Sequence, residues 1–382
     1  MQRFPVLIVG STGAFGARIA ELLVRDAAIE VILGGRTRSA LDAQARDLSS
    51  ASKRSTGVAV LDATQVSGDD IAKIGAALVI NAAGPYQGSD TRLAQAALAA
   101  PCHYIDLADA RDFVAGFPSL DGAARAADVL AVAGASSVPG LSSAVVAHHR
   151  DRFAQLESLD IAISPGNAFD PGVATVASVL SGVGQPLRML EEGVWRTVHG
   201  WQGLRRVRFG EAGRRWVGYV DVPDLDLFPA HDAGLATVRF QAGLEVPLFH
   251  LGLWSASWLV RSGIVRNLAP LAPQLLRVKK AFSGWGSNRG GMIVAMNGTG
   301  ANGQRKILRW LLVAGSGHGP YVPALASVAL ARRLASGLET RRGAFACYGL
   351  VGLDEILAEA RHLDIVCTTV EEKPLLRGAE GA

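Results

Sequence analysis

Three glycines near the start of the chain have a spacing that is typical of nucleotide-binding loops. Gly10, Gly13 and Gly16 lie in VLIVGSTGAFG, between an apolar run that predicts a strand and a segment that predicts a helix. Glycine is needed at such a turn because the main-chain N–H groups must approach a pyrophosphate closely, and the helix N-terminus adds a partial positive charge. The alternative is a purely structural glycine turn. We predict a dinucleotide site whose loop residues are Gly10, Thr12, Gly13, Ala14, Phe15 and Gly16.

Two arginines at the end of the second predicted strand indicate which dinucleotide is bound. An NAD site usually has Asp or Glu about 20 residues after the loop, to hold the ribose 2′-hydroxyl. This chain instead has VILGGRTRS, with Arg36 and Arg38 and no acid. Because Arg can grip a phosphate with two hydrogen bonds, we predict NADP as the cofactor, although Arg38 could simply be a solvated residue at a helix start. Further residues expected to line the cofactor are Asp62, Asn81, Ala82 and Gly84.

The candidates for proton transfer are one tyrosine and two carboxylates. Tyr86 follows NAAGP, and Asp106 and Asp109 lie in YIDLAD at the end of the fifth predicted strand. Packing is the alternative role for Tyr86, and a helix cap or structural hydrogen bond is the alternative for Asp106. The Tyr-x-x-x-Lys pair of short-chain dehydrogenases is absent, because no tyrosine is followed by lysine four residues later. Hydride transfer depends mainly on geometry, so a conspicuous catalytic triad is not required.

Arginines are also the candidates for substrate binding. Between residues 188 and 218 there are seven Arg and three Glu, a surplus that suits a carboxylate or phosphate if it faces the cleft. The run RRVRF alternates like a strand and would place Arg206 and Arg208 on one face, for which a solvated surface is the alternative. Arg289 lies in a glycine-rich turn, so it could either bind substrate or serve the geometry of the turn. No spacing of His and carboxylates is typical of a metal site, so we expect no metal.

The elements that position these residues follow from the alternation of short apolar runs with amphipathic segments up to residue 133. This alternation predicts an α/β fold with a parallel sheet that is covered by helices on both faces. Ligands bind at the carboxyl ends of such strands, and Gly10, Gly34, Asn81 and Asp106 end four of them. The predicted strands cover residues 4–9, 30–33, 57–61, 77–81, 103–107 and 129–133.

Composition excludes several classes of protein. The chain has 382 residues and is 49% hydrophobic, which excludes general disorder, and its net charge of +4 does not suit a dedicated nucleic-acid binder. Three cysteines without Cys-x-x-Cys spacing favour a reducing cytoplasm. The apolar stretch from Leu248 to Val260 is too short to span a bilayer. We expect it to form a core helix, with peripheral membrane contact through its two tryptophans as the alternative.

Five segments in order, VGSTGAFGARIAELL, GGRTRS, NAAGPYQ, CHYIDLAD and GASSVPGL, resemble the saccharopine dehydrogenase-like family of NADP-binding oxidoreductases. The resemblance implies a Rossmann-type doubly wound parallel sheet over residues 1–133 and a second α+β domain over 134–320, which often carries a dimer contact. A C-terminal segment, 321–382, would return its helices to the first domain. One departure is that Ala135, Ser136, Ser137 and Val138 stand where many relatives have an acidic Gly-Phe-Asp.

We therefore expect an NADP-dependent oxidoreductase that transfers hydride to or from a C=N or C–N centre of a small, anionic substrate. This reaction class comes from the family resemblance, whose characterised branches form or cleave secondary amines. One alternative is a trans-acting enoyl reductase on a lipid-like substrate, because of the apolar Leu248–Val260 stretch. Another is a non-catalytic NADP sensor, because no recognised catalytic set is present.

Overall fold

The computed structural model describes residues 3–372. The strands are β1 Phe4–Val9, β2 Ile29–Gly35, β3 Gly57–Val60, β4 Leu78–Asn81, β5 His103–Asp106, β6 Leu130–Ala133, β7 Gln155–Ser164, β8 Pro186–Glu191, β9 Val194–His199, β10 Arg205–Arg208, β11 Arg214–Tyr219, β12 Thr237–Ala242, β13 Gly290–Thr299, β14 Arg305–Ala314, β15 Gly343–Ala346 and β16 Ile365–Glu372. The α-helices are α1 Ala14–Leu23, α2 Arg38–Ser52, α3 Gly68–Ile74, α4 Arg92–Ala99, α5 Arg111–Gly116, α6 Asp121–Ala126, α7 Ser142–His149, α8 Gly172–Ser181, α9 Asp224–His231, α10 Pro247–Arg261, α11 Ala272–Ala281, α12 Val322–Ala335 and α13 Leu353–Ala358.

The first sheet is parallel throughout, in the order β15-β6-β5-β4-β1-β2-β3. Its inner strand β1 is apolar and buried from Val6 to Val9, as expected for a strand with helices on both faces. The register aligns Val9 with Gly34 and Asn81, and Asn81 with Asp106. The predicted Rossmann-type fold is confirmed, and its carboxyl edge brings the predicted strand ends to one level.

The second sheet is mixed, in the order β10-β11-β12-β7-β13-β14-β16, and β8 connects β12 to β9. Strands β12 and β7 are parallel, whereas the remaining pairs are antiparallel. This sheet confirms the prediction of a second domain with α+β character.

The C-terminal part of the described chain contributes to both sheets. Helix α12 is buried and packs against α1, and Arg332 pairs with Asp26 at 2.8 Å. Strand β15 extends the first sheet beside β6, and β16 pairs with β14 in the second sheet. The sequence pattern predicted the helices of this segment but did not predict β15 or β16. Both strands depend on partners that are distant along the chain.

Helix α10 contains the apolar stretch that was expected to lie in the core. One side of it is buried at His250, Ser257 and Val260, but on the other side Leu248 is 62% exposed and Trp258 is 46% exposed. The prediction of a core helix therefore holds for one side only. Together with α8 and α11 it encloses a small apolar core that is separate from the main one. Across residues 3–372, no helix has the length and apolarity needed to cross a membrane.

Candidate functional site

The glycine loop follows β1 and packs tightly against its surroundings. Gly10 has φ +78°, and a Cβ atom there would lie 3.0 Å from the main chain of Ala82 and Ala83. A Cβ atom on Gly16 would lie only 2.2 Å from the Gly10 carbonyl oxygen. Both glycines are thus required because main-chain segments approach each other closely at this turn.

The start of α1 presents free hydrogen-bond donors. The first N–H group with a helical acceptor belongs to Ala17, which donates to the Gly13 carbonyl at 3.0 Å. The N–H groups of Ala14, Phe15 and Gly16 therefore have no partner within the helix. No side chain caps this terminus and no acid lies in its first turn. Such a terminus is suited to an anion, and Thr12 is exposed at the tip of the same loop.

Gln44 holds the loop in place and was not predicted from the sequence. The Ser11 hydroxyl donates to Gln44 Oε1 at 2.9 Å, and Gln44 Nε2 donates to the Ser11 carbonyl at 2.7 Å. Ser11 is fully buried. A glutamine of α2, 33 residues from Ser11, thus fixes the loop conformation before any ligand binds. A polar residue on an amphipathic helix gives no sequence signal for this role.

The two arginines after β2 have different surroundings. Arg36 is exposed and forms no ion pair with any residue between 3 and 372, whereas Arg38 is paired with Asp42 at 2.9 Å. Asp62 lies near Arg36 and accepts hydrogen bonds from the N–H and hydroxyl of Thr64. Those hydrogen bonds, and to a smaller extent the charge of Arg36, lower the pKa of Asp62. Arg36 is therefore the cation that is available to a ligand at this edge.

Asn81 supports the turn that passes beneath the glycine loop. Its Nδ2 donates to the Tyr104 hydroxyl at 3.1 Å, and its Oδ1 accepts from the Ala83 N–H at 3.0 Å. The side chain is buried, so its hydrogen bonds are directed into the protein. Ala82 adjoins Gly10, and Gly84 lies next to the ring of Tyr86. Residues 81–84, which were predicted to line the cofactor, thus lie beside the glycine loop. Their main-chain atoms are the ones nearest to Gly10.

Tyr86 and Asp106 lie below the surface of the site. The Tyr86 hydroxyl donates to the Asn81 carbonyl at 2.7 Å and accepts from the Leu107 N–H at 3.3 Å. Asp106 Oδ1 accepts from the N–H groups of Ala108 at 2.9 Å and Gly134 at 2.7 Å. Burial raises the pKa of Asp106 to about 7 and that of Tyr86 well above its usual value. Both side chains thus make hydrogen bonds inside the protein, and a role for either in proton transfer stays a prediction.

Asp109 is the predicted acid that remains partly exposed. Its Oδ1 accepts from Gln87 Nε2 at 3.1 Å. Burial raises its pKa, and hydrogen bonds from Gln87 and from Ser178 of α8 lower it in part. Asp109 therefore lies at the carboxyl edge of the first sheet, between the turn after β4 and a helix of the second domain.

A loop of the second domain reaches the glycine loop. The rings of Phe169 and Phe15 have centroids 6.4 Å apart. The buried Arg215 holds the base of this loop by donating to the carbonyls of Ser164 at 3.1 Å and Pro165 at 2.8 Å. Arg215 also pairs with Glu245 at 3.1 Å. The sequence did not indicate this arrangement, because Arg215 and its partners are far apart along the chain.

The contacts described for the predicted substrate arginines are made within the second domain. Arg206 lies over the ring of Trp216 at 5.3 Å, on the edge strand β10, and Arg208 is exposed on the same strand. Arg289 pairs with Glu211 at 3.5 Å. Within residues 3–372, no hydrogen bond or ion pair connects these three side chains to the carboxyl edge of the first sheet. Their role in substrate binding stays a prediction.

A resident metal ion has no evident ligands in the part of the chain that the structure describes. That part contains no group of three or more His, Cys, Asp or Glu side chains placed to hold one.

Comparison with known proteins identifies the first domain. Residues 6–134 match the family described as saccharopine dehydrogenase NADP binding domain. The predicted family resemblance and the predicted cofactor, NADP, are thereby confirmed for this domain. No functionally curated protein matches the sequence significantly.

Solved structures are similar to this chain at low sequence identity. Apo saccharopine dehydrogenase (L-Glu forming) from Saccharomyces cerevisiae is 15% identical with a TM-score of 0.68, over 96% of this chain and 99% of that chain. A probable dehydrogenase from Thermotoga maritima is 11% identical with a TM-score of 0.45, over 93% of each chain. Biliverdin reductase from Synechocystis is 12% identical with a TM-score of 0.42, over 93% of this chain and 95% of that chain. The yeast structure therefore shows that the two-domain architecture described above is a known fold.

Proposed function

We propose that the protein is an NADP-dependent oxidoreductase that transfers hydride to or from a C=N or C–N centre of a small, anionic substrate. The observation that carries this proposal is the common carboxyl edge of the first sheet. Free helix N–H groups, Arg36, which has no ion-pair partner among the described residues, and the partly exposed Asp109 all lie along it. An anion-binding terminus and a cation suit the phosphates of NADP, and an acid can supply the proton.

The residues of this edge fit the cofactor. The N–H groups of Ala14, Phe15 and Gly16 would bind the pyrophosphate, and the loop has no side chain at Gly13 to obstruct it. Arg36 would bind the 2′-phosphate, because it is exposed and forms no ion pair within residues 3–372. When bound, NADPH supplies the hydride. The Gln44 bonds to Ser11 keep the loop in its binding conformation, so little ordering accompanies binding.

Asp109 is the residue that we assign to proton transfer. In reduction of an imine, the carbon receives a hydride and the nitrogen a proton, which gives a secondary amine. Burial raises the pKa of Asp109, so its carboxyl group stays protonated at a higher pH than a free aspartic acid. Tyr86 and Asp106, the other predicted candidates, are engaged in internal hydrogen bonds. Their role in the proposal is to fix the turns on which Asp109 depends.

The contact between Phe15 and Phe169 would exclude water from the cofactor. Both rings are partly buried and meet at the boundary between the two domains. An active site that excludes water strengthens the electrostatic interactions within it. The Arg215–Glu245 pair supports this arrangement by holding the loop that precedes α8.

A specific observation favours a second candidate, an enoyl reductase that acts on a lipid-like substrate. Helix α8, which provides Ser178 near Asp109, has the apolar sequence GVATVASVLS. Its neighbours α10 and α11 expose large apolar side chains. An apolar wall of this kind would suit an acyl chain better than an anionic group.

The proposal is tested with the purified full chain. Binding is measured by titration with NADPH and with NADH, followed by nicotinamide fluorescence. Turnover is measured as loss of NADPH absorbance with imines formed from 2-oxo acids and amines, and in parallel with enoyl thioesters. Turnover of imines alone supports the proposal, and turnover of enoyl thioesters alone supports the second candidate. Tight NADPH binding without turnover favours a sensor, and failure to bind either nucleotide refutes all three functions.

A further inference from the structure

Exposed apolar side chains are concentrated in one segment of the described chain. Nine of the sixteen large apolar side chains that are exposed lie between residues 248 and 285. Exposed apolar patches of this kind mark interaction sites. We call this the 248–285 patch, and its members are Leu248, Leu251, Trp258, Leu259, Ile264, Leu271, Leu275, Val278 and Trp285.

The patch lies on one side of α10 and continues onto α11. Leu248, Leu251, Trp258 and Leu259 are spaced so that they share one side of α10, opposite the buried Ser257. Phe249 of α10 contacts Phe282, which directly follows α11, with ring centroids 5.9 Å apart. Helix α11 buries Ala272 and Leu276 and leaves Leu275 and Val278 exposed. The outer sides of both helices are thus apolar and without a partner in the described chain.

The charged residues within the segment 248–285 are all positive. No Asp or Glu occurs between Glu245 and Glu339. Arg261, Arg266 and Arg277 are exposed, and none has an ion-pair partner in the region that the structure describes. Arg261 also lies over the ring of Trp258, at 5.0 Å.

This charge pattern distinguishes between two partners for the patch, a second copy of the chain and an anionic lipid surface. In a symmetric dimer the patch would face its own copy, and its arginines would meet like charges. An anionic lipid surface instead attracts basic residues, and tryptophan is enriched at the boundary between lipid and water. An apolar helix face bordered by cations, without a spanning helix, is typical of interfacial membrane binding.

We propose that the 248–285 patch binds the surface of an anionic lipid bilayer. The apolar side chains of α10 and α11 enter the boundary between headgroups and acyl chains, and Arg261, Arg266 and Arg277 contact the anionic headgroups. This inference does not depend on the proposed function.

The patch is directly connected to the candidate site. Lys279 of α11 donates a hydrogen bond to the Phe169 carbonyl, and Lys280 pairs with Asp170 at 2.8 Å. Phe169 in turn contacts Phe15 of the glycine loop. Binding through the patch would therefore hold the candidate site next to the lipid, where a substrate carried by the bilayer is available.

The test is flotation of the full chain with vesicles. One set contains phosphatidylcholine alone and the other contains phosphatidylcholine with phosphatidylglycerol. We expect binding to the anionic vesicles that weakens with salt, and a blue shift of tryptophan emission. Trp258→Ser combined with Leu259→Ser should abolish flotation and reduce the shift. Arg266→Gln combined with Arg277→Gln should lower the partition coefficient by on the order of tenfold.

The control variant replaces exposed apolar residues outside the patch. Val366→Ser combined with Val370→Ser, on β16, should leave vesicle binding unchanged. Unchanged NADPH binding and melting temperature show that each variant is folded, and the arginine variant tests the proposal even if the serine variant does not fold. Two results overturn the proposal: no flotation of the wild-type chain with anionic vesicles at low salt, or an oligomer in solution that the arginine or serine variant dissociates without any vesicle binding.

Discussion

The rings of Phe15 and Phe169 have centroids 6.4 Å apart, and this contact joins the glycine loop to the second domain. Phe15 is the second residue of α1, whose free N–H groups are proposed to bind the pyrophosphate. Phe169 precedes α8, and its carbonyl accepts a hydrogen bond from Lys279. A contact between the two domains beside the glycine loop is therefore made by a pair of residues that are 154 positions apart.

Phe169→Ala should weaken NADPH binding about two- to tenfold, because an aromatic pair contributes about 0.5–1.5 kcal/mol beyond the area it buries. The measurement is the dissociation constant from nicotinamide fluorescence. Trp195→Ala is a matched control, since Trp195 is 39% exposed on β9 and lies away from the glycine loop. Equal dissociation constants for the Phe169 variant and the wild type would contradict this role.

Arg36→Ala should weaken NADPH binding roughly 10- to 100-fold and leave NADH binding unchanged, because only NADPH carries the 2′-phosphate. Arg38→Ala is the control, since Arg38 is already paired with Asp42 at 2.9 Å and should contribute less. Parallel titrations with both nucleotides measure the effect. If the Arg36 variant lost affinity for NADPH and NADH equally, the 2′-phosphate would lie elsewhere.

Gly16→Ala should destabilise the protein by roughly 1–3 kcal/mol and impair NADPH binding. Its Cβ atom would lie 2.2 Å from the Gly10 carbonyl oxygen, so α1 would have to move away from β1. Gly122→Ala, in α6, meets no atom within 4 Å and should stabilise the chain by about 0.5–1 kcal/mol. Denaturant unfolding of both variants checks these signs, and a neutral Gly16 variant would be inconsistent with the described loop.

Asp106→Asn should make stability less dependent on pH. Burial raises the pKa of Asp106 to about 7 in the folded chain, against 3.8 for a free carboxyl. The folded state therefore holds this proton more tightly, so the wild type loses stability as pH rises from about 4 to about 7. Asn keeps the Oδ1 acceptor for Ala108 and Gly134 without a charge. At pH 8 the variant should be more stable by about 1–3 kcal/mol.

Denaturant unfolding at several pH values gives this difference between variant and wild type. Asp224 is also buried with a pKa raised to about 7, but it is present in both proteins and cancels in the comparison. NADPH binding and turnover should persist in Asp106→Asn. Loss of turnover with intact cofactor binding would instead assign proton transfer to Asp106.

The first domain could be predicted because its signals are local. Residues 4–9 were predicted as a strand and form β1, since an apolar run of this length can be buried only in a sheet that is covered on both faces. The alignment of Gly34, Asn81 and Asp106 in neighbouring strands was predicted because parallel strands end at the same edge of a sheet. What the pattern could not provide was β15, which joins this sheet from more than 200 residues away.

The parts of the site that were missed depend on distant partners. Gln44 bonds to Ser11 from α2, and Arg215 pairs with Glu245 across the second domain. Arg215 was within the noted arginine-rich segment, but its burial depends on carbonyl groups of the 164–165 turn. For α10 the sequence left open a core helix and a surface contact, because an apolar sequence does not show which of its sides is covered.

Asp109→Asn should reduce turnover about 10²- to 10⁴-fold without changing NADPH affinity, because general acid catalysis contributes about that much. In the reductive direction, the wild-type rate should fall as pH rises through the pKa of Asp109, which burial raises above that of a free carboxyl. The variant should lack this decline. Asp112→Asn is the matched control, since Asp112 is exposed three residues further along and has no assigned role. Rates across pH with the best substrate from the imine and enoyl sets are the measurement, and an Asp109 variant with wild-type turnover would leave proton transfer to solvent or substrate.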